Sequence, residues 1–170
     1  LTLTNTSFQG NSARGGFGWY IKSSTHGTSG GAEGGAVHLA SGNLVLRNSL
    51  FVTNLASGAS AFGGAMFVTN STTRTEDAVF TGNAVQGHEM TTAAGGAAYQ
   101  TGGDGAWTGS LFSSNSATGG PASSFPYGSG IAASGMGGGL AVFGAAGLTN
   151  CSILDNRAES GGDTWNALSI

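Results

Sequence analysis

The chain has 170 residues, a formal net charge of −3, only 8% charged residues and 33 glycines. So few and scattered basic residues exclude an electrostatic nucleic-acid interface, and we expect no nucleic acid partner. The apolar content of 39% also argues against disorder, which needs low hydrophobicity together with high net charge. No apolar run is long enough to cross a bilayer, so we expect no direct membrane insertion by this segment.

Two short motifs alternate along the sequence. The first is a large apolar residue, two variable residues and an asparagine, and it occurs at Phe8–Asn11, Phe51–Asn54, Phe80–Asn83, Phe112–Asn115 and Ile153–Asn156. The second is a Gly-Gly tetrapeptide, at Gly34–Val37, Gly63–Met66, Gly95–Ala98 and Gly137–Leu140. The first glycine precedes the next large apolar residue by 17 residues in three copies and by 16 in the fourth. This constant spacing indicates a stacked repeat. Because the sequence begins inside a repeat, we expect residues 1–170 to be one segment of a longer chain.

Each repeat predicts strands joined by corners. With the large apolar residue as position 0, positions −7 and −5 are apolar in the better copies, as in Leu44 and Leu46. This alternation is typical of a strand with one buried face. Position 0 has the opposite parity, so the chain must bend between −5 and −2. Residues that tolerate left-handed backbone fill position −3: Asn5, Asn48, Asp77, Gly109 and Asn150. We expect a second corner at the +3 asparagine, then a loop, and then a third strand over 36–39, 65–68, 97–100 and 139–143.

Three short strands per repeat predict an all-β fold: a right-handed, single-stranded parallel β-helix (β-solenoid) of about five rungs. Like residues would then lie on like residues. The position-0 residues would stack inside the solenoid: Phe8, Phe51, Phe80, Phe112 and Ile153. The +3 asparagines would form a hydrogen-bonded ladder: Asn11, Asn54, Asn83, Asn115 and Asn156.

The insertions between repeats fall at one point, between the +3 asparagine and the next Gly-Gly. They contain 22, 8, 11 and 21 residues, so their loops should emerge on one side. The two long loops carry Trp19, Tyr20, Phe125 and Tyr127, which are candidates for partner contact. The alternative is that these aromatic residues fold back and cover the solenoid wall.

The residues that could act in catalysis or bind a metal are scattered over different positions of the repeat. The carboxylates seldom share a position, and His26, His38 and His88 fall at unrelated positions, so we expect no metal and no cofactor. Glu76 and Arg47 do share position −4 in neighbouring repeats, which predicts an ion pair.

Three N-glycosylation sequons begin at Asn5, Asn70 and Asn150. If the chain enters a eukaryotic secretory pathway, Asn70 is the best acceptor, because it follows a third strand. Asn5 and Asn150 belong to the −3 corner, where an amide held in a ladder could not accept a glycan.

The alternation of Gly-Gly-Ala-[Ile/Val/Leu] with Phe-x-x-Asn resembles the repeat of the chlamydial polymorphic outer membrane proteins. That repeat also occurs in other large surface proteins of bacteria, algae and other protists. Gly34–Val37 with Phe51–Asn54 fits best, whereas the last copy has Gly139 for alanine and Ile153 for phenylalanine. The resemblance implies a right-handed β-helix on a cell surface, used for adhesion or for building an extracellular structure.

We therefore expect an extracellular or cell-surface module with a structural or adhesive function rather than an enzyme. As a glycoprotein within an extracellular assembly or filament, it would contact protein (other subunits or further repeats of the same chain) or surface glycans. The alternative function is that of a carbohydrate-active β-helix enzyme, like a polysaccharide lyase or glycoside hydrolase. Such an enzyme would need carboxylates that converge on one wall.

Overall fold

The computed structural model describes residues 1–16, 30–88, 90–122 and 132–161. These ranges form 21 β-strands, and they contain no helix long and apolar enough to span a bilayer. All the strand pairings described are parallel, which is the arrangement found in a parallel β-solenoid.

The strands group into five repeats. Repeat 1 comprises β1 (Thr2–Thr4), β2 (Ser7–Gln9), β3 (Ser12–Arg14) and β4 (Ala32–Glu33). Repeat 2 comprises β5 (Val37–Leu39), β6 (Gly42–Arg47), β7 (Leu50–Val52), β8 (Leu55–Gly58) and β9 (Ala61–Phe62). Repeat 3 comprises β10 (Met66–Thr69), β11 (Ser71–Glu76), β12 (Val79–Thr81), β13 (Ala84–Gly87) and β14 (Ala93–Ala94). Repeat 4 comprises β15 (Ala98–Thr108), β16 (Leu111–Ser113), β17 (Ser116–Thr118) and β18 (Gly135–Met136). Repeat 5 comprises β19 (Leu140–Thr149), β20 (Ser152–Leu154) and β21 (Arg157–Glu159).

Equivalent strands of successive repeats pair to form four sheets. Sheet 1 contains β1, β5, β6, β10, β11, β15 and β19, and sheet 2 contains β2, β7, β12, β16 and β20. Sheet 3 contains β3, β8, β13, β17 and β21, and sheet 4 contains β4, β9, β14 and β18. The register places like residues side by side: Phe51 pairs with Phe8 on one side and with Phe80 on the other.

The corner at position −3 is confirmed. All five of its residues have a positive φ, from 46° at Asn48 to 59° at Gly109. At the second corner the left-handed residue is at +2 rather than at the +3 asparagine, so that expectation was wrong. The +2 residues with positive φ are Gly10, Thr53, Gly82, Ser114 and Asp155. Because the turn is made one residue earlier, the +3 side chain is free to point into the interior.

The prediction of three strands per repeat was too low. The structure adds a strand directly after the +3 asparagine and a two-residue strand before each Gly-Gly, such as β8 and β9. Both are too short to show a periodicity in the sequence. The predicted third strand begins one residue later, as at Val37, and in repeats 4 and 5 it continues into the next predicted strand.

The core is wide at one end of the cross-section and narrow at the other. Large side chains fill the space beside sheets 1 and 2; Phe51, Phe80, Phe112, Leu44 and Trp107 are all fully buried. Small side chains fill the space beside sheets 3 and 4: Ala32, Ala56, Ala61, Val85 and Ala93. The phenylalanine column keeps one residue size through four repeats, whereas the neighbouring column of sheet 1 varies from Leu46 to Thr75 to Trp107.

The hydroxyl oxygens Oγ1 of Thr73 and Thr75 are buried in the wide end without a hydrogen-bond partner among the described residues. Leu44 and Leu46 occupy the same positions in repeat 2. An unpaired buried hydroxyl costs about 1–3 kcal/mol, so we expect Thr73→Val to raise the free energy of unfolding by about 1 kcal/mol. Urea denaturation measures this change. Thr72→Val, at an exposed position of the same strand, is the control and should change little; an equal gain in both variants would show that Val simply suits the strand better.

Candidate functional site

The +3 asparagines form a continuous ladder through the five repeats. Each side-chain Nδ2 donates to Oδ1 of the asparagine in the next repeat, at 2.8–3.0 Å. The same Oδ1 also accepts the backbone N–H of the preceding asparagine, as in the 3.0 Å bond from Asn54 N to Asn83 Oδ1. The second hydrogen of Nδ2 goes to a phenylalanine carbonyl one repeat back, such as Asn83 to Phe51 O at 3.0 Å.

The position-0 rings form a second column beside the ladder. Neighbouring phenylalanine centroids lie 4.9, 4.7 and 4.9 Å apart, with interplanar angles of 11°, 8° and 2°. Trp107 closes on this stack edge-on, 5.5 Å from Phe112. Ile153 pairs with Phe112 in register and is 53% exposed, because repeat 5 is the last one described. Inside the fold, the ladder satisfies the hydrogen-bonding groups of the asparagine side chains, and the stack buries the phenylalanine rings.

The small residues at position −2 close the first corner. Their side chains donate to the carbonyl oxygen two residues earlier, as in Ser49 Oγ to Arg47 O at 2.9 Å and Ser110 Oγ to Thr108 O at 3.0 Å. Cys151 occupies the same position, and its Sγ lies 3.5 Å from Thr149 O. The only cysteine of the chain therefore stands where repeats 1, 2 and 4 have a corner-closing hydroxyl and repeat 3 has Ala78.

Sequence reasoning missed a row of aromatic side chains on the outer face of sheet 1. His38, Phe67 and Tyr99 pair in register, with ring centroids 5.0 and 5.5 Å apart. We call these three residues, together with Phe62 and Phe143, the aromatic row. Phe62 lies 4.8 Å and Phe143 5.4 Å from the Tyr99 ring.

The aromatic row lies on the side of the strands that faces away from the core, although the neighbouring rings leave Phe67 only 6% exposed. Met66 and Val68 are fully buried inside, so Phe67 between them projects to the other face of the strand. Phe143 is 49% exposed. Burial raises the pKa of the Tyr99 phenol, and a hydrogen bond with Thr101 opposes this. The signal was present in the sequence, because His38, Phe67 and Tyr99 each follow a Gly-Gly by the same number of residues.

Three of the described glutamates have a basic partner nearby. Glu76 accepts from Arg47 Nε at 2.8 Å and from Arg74 Nε at 2.9 Å, which confirms the expected ion pair across repeats. Glu33 lies 3.6 Å from His38, and Arg157 pairs with Glu159. No group of three or more His, Cys, Asp or Glu residues suited to a metal ion occurs in the described ranges.

The two arginines lower the pKa of Glu76, first through the hydrogen bond from Arg47 and then through that from Arg74. A lowered pKa in the folded state stabilises the fold above the ordinary carboxyl pKa, and this contribution is lost as the pH falls through the folded value. We therefore expect Glu76→Gln to destabilise slightly at neutral pH and not at acid pH. Since the side chain is partly exposed, added salt should shrink the difference. Urea midpoints at two pH values and two salt concentrations measure this; a difference that persists in acid would contradict it.

Comparisons of this chain with protein-family models, with curated proteins and with solved structures find no match. Its function must therefore be argued from its own geometry. Here the ladder and the stack hold the repeats together, and the aromatic row lies on the outer side of the strands.

The remaining sequence-predicted site residues have different positions. Trp19, Tyr20, Phe125 and Tyr127 lie outside the described residues. Asn70 is exposed at the turn between β10 and β11, where its φ is 48°. Asn5 and Asn150 are exposed as well, so the expectation that the −3 corner holds its amides in a ladder was wrong. A left-handed residue at an outward corner points its side chain to solvent, and the asparagines of all three sequons are exposed.

Proposed function

We propose that this chain is a module of a right-handed parallel β-helix in a large secreted or cell-surface protein, with a structural or adhesive function. The observation that supports it best is that the two faces of the strands carry different sets of residues. The repeated Phe and Asn residues stack on and hydrogen-bond to their equivalents inside, where Trp107 also packs on the rings, while the aromatic row lies on the outer face. The right-handed sense is the one favoured for parallel strands joined by crossovers. Such a rod would present the aromatic row to a protein or glycan partner.

The distribution of carboxylates favours this structural function over hydrolysis or elimination of polysaccharides. Glu33, Glu76 and Glu159 each have a cationic or histidine partner nearby. Asp77 and Asp155 occupy left-handed corners, where a short polar side chain favours the turn. A glycosidase needs two carboxyl groups placed on either side of one bond.

Labelling of intact cells tests the proposed location. An antibody raised against the chain should label unpermeabilised cells of its source, and added protease should remove the signal. Labelling that requires permeabilisation would contradict a surface or secreted location.

A binding assay tests the adhesive function. Beads coated with the chain should bind extracellular matrix protein or glycan arrays, and the double substitution Tyr99→Ala with Phe143→Ala should weaken the binding. Leu50→Ala removes an exposed apolar side chain from a different sheet and should not. Equal loss in both variants, with folding intact, would show that the aromatic row is not the contact surface.

A further inference from the structure

We propose that the outward corners of the fold carry N-linked glycans, attached at Asn5, Asn70 and Asn150. The inference rests on the proposed secreted or cell-surface location, because glycan transfer takes place in a secretory pathway. Three features support it: the local geometry that the three sequons share, the exposure of the same corner in the inner repeats, and the absence of sequons from the asparagine ladder.

The three sequons share one local backbone geometry. Asn5, Asn70 and Asn150 are exposed, with φ angles of 53°, 48° and 52°. The middle residue of each sequon donates a hydrogen bond to the carbonyl oxygen two residues before it: Thr6 at 3.1 Å, Ser71 at 2.8 Å and Cys151 at 3.5 Å. The residue that completes each sequon is exposed: Ser7, Thr72 and Ser152. Each sequon therefore presents its asparagine and its hydroxyl residue on the outer surface.

The exposure of the −3 corner is a property of every repeat. Repeats 2, 3 and 4 each have a repeat on either side, and their corner residues Asn48, Asp77 and Gly109 are exposed as well. Asn70 lies in repeat 3, at the turn between β10 and β11. A further repeat beside Asn5 or Asn150 would leave those side chains at the surface, so their exposure does not depend on where the chain begins or ends.

Only an outward asparagine can carry a glycan in this fold. A glycan is bulky and strongly hydrated, so its burial would prevent the repeats from stacking. The ladder asparagines point inward and use both hydrogens of Nδ2 there, as Asn54 does toward Asn83 Oδ1 and Phe8 O. None of the five ladder asparagines is followed two positions later by Ser or Thr. Sequons thus occur where the fold can accept a glycan and are absent where it cannot.

The modification is a group transfer from a polyprenyl-diphosphate-linked oligosaccharide, catalysed by an oligosaccharyltransferase of the secretory pathway. The asparagine Nδ2 forms a bond to C1 of the first sugar and loses one proton. The bond from C1 to the diphosphate oxygen breaks, and the polyprenyl diphosphate leaves with the electron pair. No oxidant or reductant is consumed.

The glycans would cover one edge of the solenoid. Asn5 and Asn150 belong to the same column between sheets 1 and 2, four repeats or roughly 19 Å apart. A hydrated glycan prevents another protein from packing closely around its point of attachment. This edge would therefore face solvent, and protein contacts would be left to other faces.

Mass spectrometry of the protein recovered from the surface of its source cells tests the proposal. We expect a glycan on each of the three asparagines, and digestion with a peptide-N-glycosidase should convert each of them to aspartate. Thr72→Val should remove the glycan at Asn70 and leave those at Asn5 and Asn150. Ser7→Ala and Ser152→Ala should each remove one of the other two. All three substituted side chains are exposed, and circular dichroism checks that each variant folds.

A new sequon in an inner repeat tests the geometric reason. Leu50 is exposed, and Leu50→Thr completes a sequon at Asn48, which occupies the −3 corner of repeat 2. This variant should gain one further glycan and still reach the cell surface. Leu50→Ala shortens the same side chain without completing a sequon and should gain none.

Protein that labels at the cell surface but carries no N-linked glycan would overturn the inference and leave the proposed location intact. A glycan on Asn70 alone, or a Leu50→Thr variant without a glycan at Asn48, would overturn it for the −3 corner. Labelling that requires permeabilisation would instead contradict the proposed location. The two failures are therefore distinguishable.

Discussion

Replacing Asn83 with alanine is expected to lower the free energy of unfolding by about 3–5 kcal/mol, because it leaves several buried polar groups without partners. The substitution removes the Oδ1 that accepts both the backbone N–H and Nδ2 of Asn54, at 3.0 and 2.9 Å. It also removes the donor to Phe51 O. Each unsatisfied buried group costs about 1–3 kcal/mol, and coupled losses do not add fully.

Asn11→Ala is the matched control for Asn83→Ala. Asn11 is exposed, and its backbone N–H would still donate to Asn54 Oδ1 after the substitution. Only the 2.9 Å bond from its Nδ2 would be lost, so we expect a cost of about 1 kcal/mol or less. Urea denaturation with an unchanged slope measures both variants. Equal costs in the two would show that the ladder does not stabilise the interior repeats.

Gly64→Ala is expected to destabilise by about 4 kcal/mol or more, through a backbone clash rather than a lost bond. A Cβ atom at Gly64 would overlap the carbonyl oxygens of Gly96 and Ala84 and would lie 2.7 Å from the Ala84 carbonyl carbon. The second glycine of each of the four repeated Gly-Gly motifs meets the equivalent carbonyl: Leu55, Ala84, Ser116 or Arg157. At this point two backbone segments touch across the interior, and neither can move without breaking sheet 3.

Gly147→Ala isolates that clash from the general effect of adding a methyl group. Gly147 lies in β19 with no atom within 4 Å of a Cβ built on it and without a positive φ. The substitution should be neutral or stabilise by up to about 1 kcal/mol by restricting the unfolded chain. Thermal and urea unfolding of the two variants give the comparison. A tolerated Gly64→Ala would mean that sheet 3 and the Gly-Gly segment do not approach as closely as described.

The residues with a fixed chemical type in the repeat predicted most of the interior. Position 0 predicted the aromatic column, because equivalent phenylalanine rings of successive repeats stack on one another. Position −3 predicted the first corner, because a left-handed backbone favours Asn, Asp or Gly. The second corner was placed one residue late, since the +2 position holds Gly10 in one repeat and Thr53 in the next. The backbone alone imposes the turn at position +2, so the residue type there varies between repeats and leaves no recognisable sequence pattern.

The aromatic row on the outer side was missed, although three of its residues follow the Gly-Gly motif at one constant spacing. His38, Phe67 and Tyr99 share a column, but outward residues pack only on their neighbours, so the column tolerates Ala141 in repeat 5. The two-residue strands of sheet 4 were missed for a different reason. Ala61–Phe62 and Ala93–Ala94 are too short to show alternation and are fixed by pairing with their neighbours in sheet 4. Local sequence does not encode pairing between distant residues.

The central claim is that the five repeats stack in parallel and in register, and distances between spin labels test it most directly. Thr4, Arg47, Glu76, Thr108 and Thr149 share position −4 in successive repeats. Labels introduced at Thr4 and Thr149 lie four repeats apart, so they should show one narrow distance near ~19 Å, at about 4.8 Å per repeat. Labels at Thr4 and Thr108 should lie about 5 Å closer together. A broad distribution, or a separation that does not grow with the number of repeats, would contradict the stack.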